Sequence, residues 1–374
     1  MQYRNFGNTG ILVSVLGFGC MRLPMEGGHV KEEYSIKMLR RAYELGVNYF
    51  DTAENYCNTE SQIILGKALK GMDRDKIYVS TKNGYKGDSG SEWRKRLETS
   101  LSRLEVDYID FYNSHSLGWD AFQTGFGAKG GPIDAAQKAK DEGLIRYLAF
   151  STHDSAANII KLINTGAFAS MTLQYNILNR ANEEAIATAH EKGMGVAIMG
   201  TVAGGRLAQP NEDIQKLRAG IAKSSAEIAI RFVLSNPGVS TALSGMNAIE
   251  QVEENVATAS RTEPLTPEEK IQVLESLEEN KKLADLYCTG CGYCMPCPNG
   301  VDIPTNFLYM NYYRVYGLRD YARQQYVALK EKSLENMDVP SWADTCLECG
   351  ECEPKCPQEI PIITQLKETH ATLS

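Results

Sequence analysis

Four side chains in this sequence could together move a proton onto an oxygen. Asp51 ends an apolar run from Val47 to Phe50, and Tyr56 follows five residues later. Lys82 follows Ile77-Tyr78-Val79-Ser80-Thr81, and His115 follows Tyr108-Ile109-Asp110-Phe111-Tyr112. A free tyrosine ionises with a pKa of about 10, and a nearby ammonium favours the phenolate and lowers that value. Lys82 can play this part, with Asp51 holding it charged and in place. Tyr56 then becomes a competent proton donor near neutral pH. His115 can orient a carbonyl oxygen toward Tyr56. The chemistry suggested is carbonyl reduction, with hydride to carbon and a proton from Tyr56 to oxygen. Singly, each residue has a plainer reading: a loop hydrogen-bonder, a rim aromatic, a surface charge, a satisfied imidazole. Their order on successive strand ends is what argues for a site.

A second constellation is sulfur. Cys288, Cys291, Cys294 and Cys297 are each separated by two residues, and Pro298 follows. Cys346, Cys349, Cys352 and Cys356 repeat the pattern with one extra residue before the last, and Pro357 follows. The second run has the spacing of a bacterial 4Fe-4S ferredoxin. Three closely spaced thiolates wrap one side of a cubane, and in two-cluster proteins the fourth ligand comes from the other run. The expectation is two 4Fe-4S clusters, one on Cys288, Cys291, Cys294 and Cys356, the other on Cys346, Cys349, Cys352 and Cys297. Two four-cysteine zinc sites are the competing reading, which the prolines and the tight triplets disfavour. Cys20 and Cys57 lack cysteine neighbours and read as packing residues.

The elements that must position the first four residues alternate between strand and helix. Strands are expected over 13–19, 47–51, 76–82, 108–113, 145–151, 170–175, 195–199 and 239–244. Helical periodicity falls between them, as over Ser91–Leu104, where Trp93, Leu97, Leu101 and Leu104 form one stripe. Tyr3 to Leu16 reads as a hairpin turning at Gly7-Asn8-Thr9-Gly10. A glycine-rich insertion, 116–131, carries Trp119, Phe122 and Phe126, which read equally as lid packing or substrate contacts. Eight strand–helix units in about 260 residues match an α/β fold of the (β/α)8 TIM-barrel type, whose strand ends converge on one mouth. A doubly wound sheet is the alternative. The aromatic, helical stretch between the cysteine runs predicts a small α-helical ferredoxin-like domain. The expected domains are therefore 1–285 and 286–374.

Composition narrows the class. The chain has 374 residues with 43% hydrophobic and 23% charged residues, ordinary for a globular protein. Its formal net charge of -8 argues against a nucleic-acid partner. No apolar run is long enough to span a membrane, and the N-terminus has no signal core. A cytoplasmic protein is expected, in which ten cysteines serve metal rather than disulfides.

At this point the chain resembles the aldo-keto reductases. The resemblance rests on Leu16-Gly17-Phe18-Gly19-Cys20-Met21, on Asp51-Thr52-Ala53 with Tyr56, on Thr81-Lys82, and on Asp110-x-Tyr112-x-x-His115. It covers residues 1 to about 260. It implies that Asp51, Tyr56, Lys82 and His115 form a catalytic tetrad acting on a small carbonyl or alcohol with NAD(H) or NADP(H). The dinucleotide contacts it implies are Gly19, Cys20, Met21, Ser151, Thr152, Gln174, Gly204, Gly205, Arg206, Gly245, Asn247, Gln251 and Asn255. Several depart from the family pattern: Thr152 stands in a Ser-Asn pair, and Gly245-Met246-Asn247 and Gln251 bring no cation to a 2′-phosphate. His153 reads as a hydrogen-bonded loop residue. The branch resembled carries a C-terminal ferredoxin-like domain and occurs largely in anaerobes. A hydride moves two electrons and a cluster passes one, so exchange between them would run through a flavin (FMN) or a substrate that tolerates radical steps, the alternative being clusters that are structural or serve an outside partner only. A ferredoxin-type protein is the expected electron partner. The alternative is an electron-transfer or regulatory protein whose barrel binds a nucleotide or flavin without carbonyl turnover.

Overall fold

A computed structural model describes residues 1–177, 179–202, 222–261, 265–279, 288, 290–314, 319–335 and 341–374. One compact unit comprises residues 1–202 and 226–268, and a second includes residues 269–374. The expected boundary at 285 falls outside the described residues.

The first unit is a closed barrel of eight parallel strands: β1 (Leu16–Gly19), β2 (Tyr49–Asp51), β3 (Tyr78–Gly84), β4 (Ile109–His115), β5 (Ile145–Thr152), β6 (Ser170–Gln174), β7 (Gly195–Met199) and β8 (Thr241–Ser244). Each pairs with the next, and β8 pairs with β1, Ala242 opposite Leu16. The closed sheet excludes the doubly wound alternative. Helices sit between the strands because their apolar residues recur at helical spacing. In Gly90–Leu104 the buried stripe is Trp93, Leu97, Ser100 and Leu104. Its start is fixed by a capping box in which Ser89 Oγ accepts from Glu92 N and Glu92 Oε2 accepts from Ser89 N at 2.8 Å.

The hairpin expected at the N-terminus pairs Tyr3–Asn5 with Leu12–Ser14 and plugs the barrel floor. Phe6 is fully buried there, edge-on to Phe111 with centroids 4.7 Å apart. The turn needs glycine at position 7: φ is +56°, and a Cβ would lie 2.4 Å from Gly193 O. The single strand expected over 13–19 is two segments, one ending the hairpin and one joining the barrel. β4 runs two residues further than expected, so His115 is its last residue rather than the start of a loop. The 116–131 insertion folds into short helical turns over Trp119–Ala121 and Phe122–Phe126. Phe126 is fully buried there against Phe168 and Tyr85, which is packing.

The second unit has a core made partly of thiols. Cys294 and Cys352 are buried with Val301, Ile303, Phe307, Ile360, Ile362 and Leu366, and other cysteines pack around them. Helices Ile303–Arg314, Arg319–Glu335 and Ile362–Leu373 enclose this core. The two cysteine runs are one fold used twice. Two residues after Cys288 and Cys346 come left-handed positions, Gly290 (φ +68°) and Glu348 (φ +55°). Four residues after, Gly292 and Gly350 both have φ +78°. After each Cys-Pro, a turn closes from Gly300 N to Cys297 O at 3.0 Å and from Glu359 N to Cys356 O at 3.1 Å. A 12-residue helix follows each turn.

Candidate active site and cluster ligands

The mouth of the barrel gathers four chemical groups from three strands and one loop. Lys82, on β3, is 1% exposed and ion-paired with Asp51 at the end of β2. Asp51 Oδ2 accepts from Ser80 Oγ at 2.9 Å, and Ser80 Oγ accepts from Asn113 Nδ2 at 3.0 Å. Lys82 Nζ also donates to Thr52 O at 2.9 Å. Burial works against the ammonium, but the charge of Asp51 and then of Tyr56, with their hydrogen bonds, outweighs it. The amine is held above the usual lysine range. A buried charge of this kind persists only when paired and hydrogen-bonded, and both conditions are met.

Tyr56 hydrogen-bonds Lys82, whose Nζ is 5.1 Å from the phenol centroid. His115 meets Tyr56 edge-on, centroids 6.0 Å apart at 85°. Burial, then the Lys82 charge and His153, push His115 down to about 3, so its imidazole is neutral across the physiological range. The segment after Tyr56 is unusual. Cys57, Asn58 and Thr59 have φ of +50°, +53° and +71°, three successive non-glycine residues in the left-handed region. The Cys57 thiol donates to the carbonyls of Cys20 and Met21, each at 3.5 Å.

The residues expected around a dinucleotide are spread over the same mouth. Gly19 ends β1, Cys20 is fully buried, and Met21 is exposed. Ser151 Oγ accepts from Ser116 N at 3.1 Å, and Thr152 Oγ1 accepts from Asp154 N at 3.1 Å. Gln174 is buried at the end of β6, its stem 3.5 Å from where a Cβ on Gly200 would lie. Asn247 N donates to Gln251 Oε1 at 3.0 Å, and Asn255 Nδ2 to Ser244 Oγ at 3.1 Å. Gly204, Gly205 and Arg206 lie outside the described residues. The polar side chains of Ser151, Thr152, Gln174, Asn247 and Asn255 are of the kind that hold a dinucleotide, and at Gly245 a Cβ would sit 2.9 Å from Arg22 Cγ.

Sequence reasoning missed several contributors. Ser80 and Asn113 buttress Asp51 from inside the barrel, where strand periodicity identifies them as inward-facing but not as polar supports. Arg22 lies against Gly245 although 223 positions separate them, a proximity no local pattern reveals. His153 reaches the surroundings of His115, and burial pushes it down to about 4. Asp110, part of the motif that ends in His115, acts elsewhere. It is buried between Arg74 (2.7 Å) and Arg146 (3.0 Å) and accepts from Val79 N at 2.9 Å.

In the second unit, Cys288, Cys291, Cys294 and Cys356 line one apolar cavity with Ile303, Phe307, Ile360 and Ile362. Burial, then Cys288 and Cys291 and more weakly Cys356, push the Cys294 thiol up to about 12. Four thiolates there need a cationic centre between them. Cys352 is likewise raised by burial, and then by Glu353, Cys346 and Cys297. Each run's last cysteine therefore lies beside the other run. All eight are free thiols, the first set lining the apolar cavity and the second reaching the surface at Cys349, and this donor set fits 4Fe-4S clusters.

Comparison with known proteins agrees with both halves. A model of the aldo/keto reductase family matches residues 15–279, and a model of the 4Fe-4S dicluster domain matches residues 287–360. The chain is 29% identical over 308 residues to the L-galactose dehydrogenase of Arabidopsis thaliana, covering 75% of this chain and 96% of that protein. It is 27% identical over 301 residues to the NADH-specific methylglyoxal reductase of Escherichia coli (strain K12), covering 67% and 91%. Among solved structures, an aldo-keto reductase of Bacillus halodurans in its holo form superposes with a TM-score of 0.64 at 30% identity, covering 74% and 96%. Among the described residues, no helix is long and apolar enough to cross a membrane.

Proposed function

The chain belongs to the aldo-keto reductase family, and from that premise we propose that it interconverts a small carbonyl compound and its alcohol at Asp51, Tyr56, Lys82 and His115. The observation that carries this reading is the buried Lys82, held by Asp51 and hydrogen-bonded to Tyr56, beside a neutral His115. When bound, NAD(P)H supplies the hydride; the 4Fe-4S clusters supply one-electron transfer.

The chain's own residues supply the rest. Tyr56 gives its proton to the carbonyl oxygen. Lys82 stabilises the phenolate left behind, because a positive charge at hydrogen-bond distance favours the ionised phenol. Asp51 and the Thr52 carbonyl keep the ammonium aimed at Tyr56. His115, being neutral, donates an N–H to the same oxygen without competing as an acid. In the oxidative direction Tyr56 receives the alcohol proton. In the second unit, Cys288, Cys291, Cys294 and Cys356 would hold one cluster, and Cys346, Cys349, Cys352 and Cys297 the other. The clusters held there would exchange electrons one at a time with a small redox protein. Eight free thiols suit a reducing compartment, here the cytoplasm.

The test is anaerobic purification, iron and sulfide analysis, and identification of the small molecules released on denaturation. Eight irons and a nicotinamide dinucleotide support the reading; zinc in place of iron overturns the cluster half. A released flavin mononucleotide would transfer the barrel to one-electron chemistry. Titration with both dinucleotides sharpens it. Gly245, Met246, Asn247 and Gln251 offer no cation to a 2′-phosphate, which normally recruits Arg or Lys, and the E. coli relative is described as NADH-specific. NADH is expected to bind at least as well as NADPH. A clear NADPH preference would contradict this and direct attention to Arg22.

A further inference from the structure

The repeated fold of the two cysteine runs extends one residue beyond each Cys-Pro. Asn299 stands two residues after Cys297, and Gln358 two residues after Cys356. Both are carboxamides, and each lies with the opposite run. Asn299 Nδ2 donates to Cys349 Sγ at 3.7 Å, across the 50 residues that separate them. Gln358 lines the cavity of Cys288, Cys291, Cys294 and Cys356, where its Nε2 donates to the Pro357 carbonyl at 3.4 Å. Two backbone bonds to these sulfurs, by contrast, are local: Gly290 N to Cys288 Sγ at 3.3 Å and Glu348 N to Cys346 Sγ at 3.4 Å. The carboxamides travel with the crossing cysteine.

We propose that Asn299 and Gln358 are reciprocal tuning residues: each segment that delivers a fourth cysteine to the opposite cluster also delivers a side-chain amide that raises that cluster's reduction potential. The physical reason is charge. Reduction adds one negative charge to a cluster, and an N–H aimed at a thiolate sulfur stabilises the more negative state. The two amides hold equivalent places in the sequence, Asn299 on a cysteine sulfur and Gln358 in the cavity beside Pro357, and the clusters differ further in the charges around them. The second run carries Glu348, Glu351 and Glu353 against Lys355, with Glu348 paired to Lys367 at 2.8 Å, whereas the stretch from Cys288 to Cys297 carries no charged residue. Asn299 therefore serves the cluster whose surroundings oppose reduction most.

The test is a potentiometric titration of the whole reconstituted chain, followed by EPR, which reads potentials and needs no substrate. Asn299→Leu is expected to move one of two reduction waves to lower potential. The reduced-to-oxidised ratio at fixed potential should change about tenfold, about 59 mV for a one-electron couple. Gln358→Met should move the other wave. Asn299→Gln and Gln358→Asn keep the donor and should leave both waves near the parent values. Variants with full iron whose waves stay put, or that both move the same wave, overturn the proposal. If the apolar variants lose iron, the parent decides. Pulsed EPR with a heavy-nitrogen label in the asparagine side chain must show coupling to one reduced cluster, and its absence overturns the assignment of Asn299. The proposal rests on the two-cluster reading. A parent chain that takes up no iron overturns both, whereas full clusters with immovable potentials overturn the carboxamides alone.

Discussion

In the barrel, the ionised groups hold one another. Asp51 is fixed by Ser80, Ser80 by Asn113, and Lys82 by Asp51 and the Thr52 carbonyl. The supports come from β2, β3 and β4, so the sheet ladder places the site before any ligand arrives. In the cysteine unit the reactive groups are the core itself. Cys294 and Cys352 are buried among Val301, Ile303 and Ile362, and burial and neighbouring sulfur oppose their ionisation. One site is arranged by hydrogen bonds between polar groups; in the other the thiols are themselves part of the packed core.

The largest test of this contrast is removal of iron. Metal binding to a site that the unfolded chain lacks is itself folding free energy. An anaerobic chelator is expected to abolish hydrogen-exchange protection in the helices Ile303–Arg314 and Ile362–Leu373 while β2, β3 and β4 stay protected. Equal protection of both units after iron loss would break the comparison. Next in size is Tyr56→Phe. It removes only the transferable proton, so carbonyl reduction should fall by ~10²- to 10⁴-fold while dinucleotide affinity is kept. Parental turnover would exclude Tyr56 as the acid. The smallest effect concerns acid. His115 and His153 have folded-state values of about 3 and about 4, against an ordinary 6.5. Between these values the unfolded chain binds protons that the folded chain refuses. Stability contributed by the neutral imidazoles is therefore complete above 6.5 and falls as pH drops. Each histidine should remove about 1.4 kcal/mol per pH unit as the pH falls toward about 5. Hydrogen exchange of β4 amides over that range measures it, and His153→Asn should reduce the slope. A flat profile would mean that both rings titrate normally.

How much of this was legible beforehand depends on the range of the signal. Asp51, Tyr56, Lys82 and His115 could be grouped because a parallel barrel converts strand order into proximity. The β8–β1 pairing closes the barrel that this grouping assumes. The two cysteine runs were legible from spacing alone. Arg22 against Gly245 was not, because it depends on how β8 returns to β1. Nor was the role of Asp110, whose sequence neighbours suggested chemistry but whose partners, Arg74 and Arg146, are structural. The internal repeat was hidden by its chemistry: Gly290 answers Glu348 and Gly300 answers Glu359, pairs alike only in backbone angle.

The left-handed turn after Tyr56 sets a limit on engineering. Each non-glycine residue held there costs roughly 1–2 kcal/mol against a right-handed alternative. Cys57, Asn58 and Thr59 therefore form a stretch that the surrounding contacts keep wound. Asn58 suits this turn, since asparagine tolerates the left-handed region and its Nδ2 donates to Gly28 O at 2.8 Å. A glycine there would lose that bond and widen the swing of the phenol that precedes it, so the turn that holds Tyr56 leaves little room for substitution.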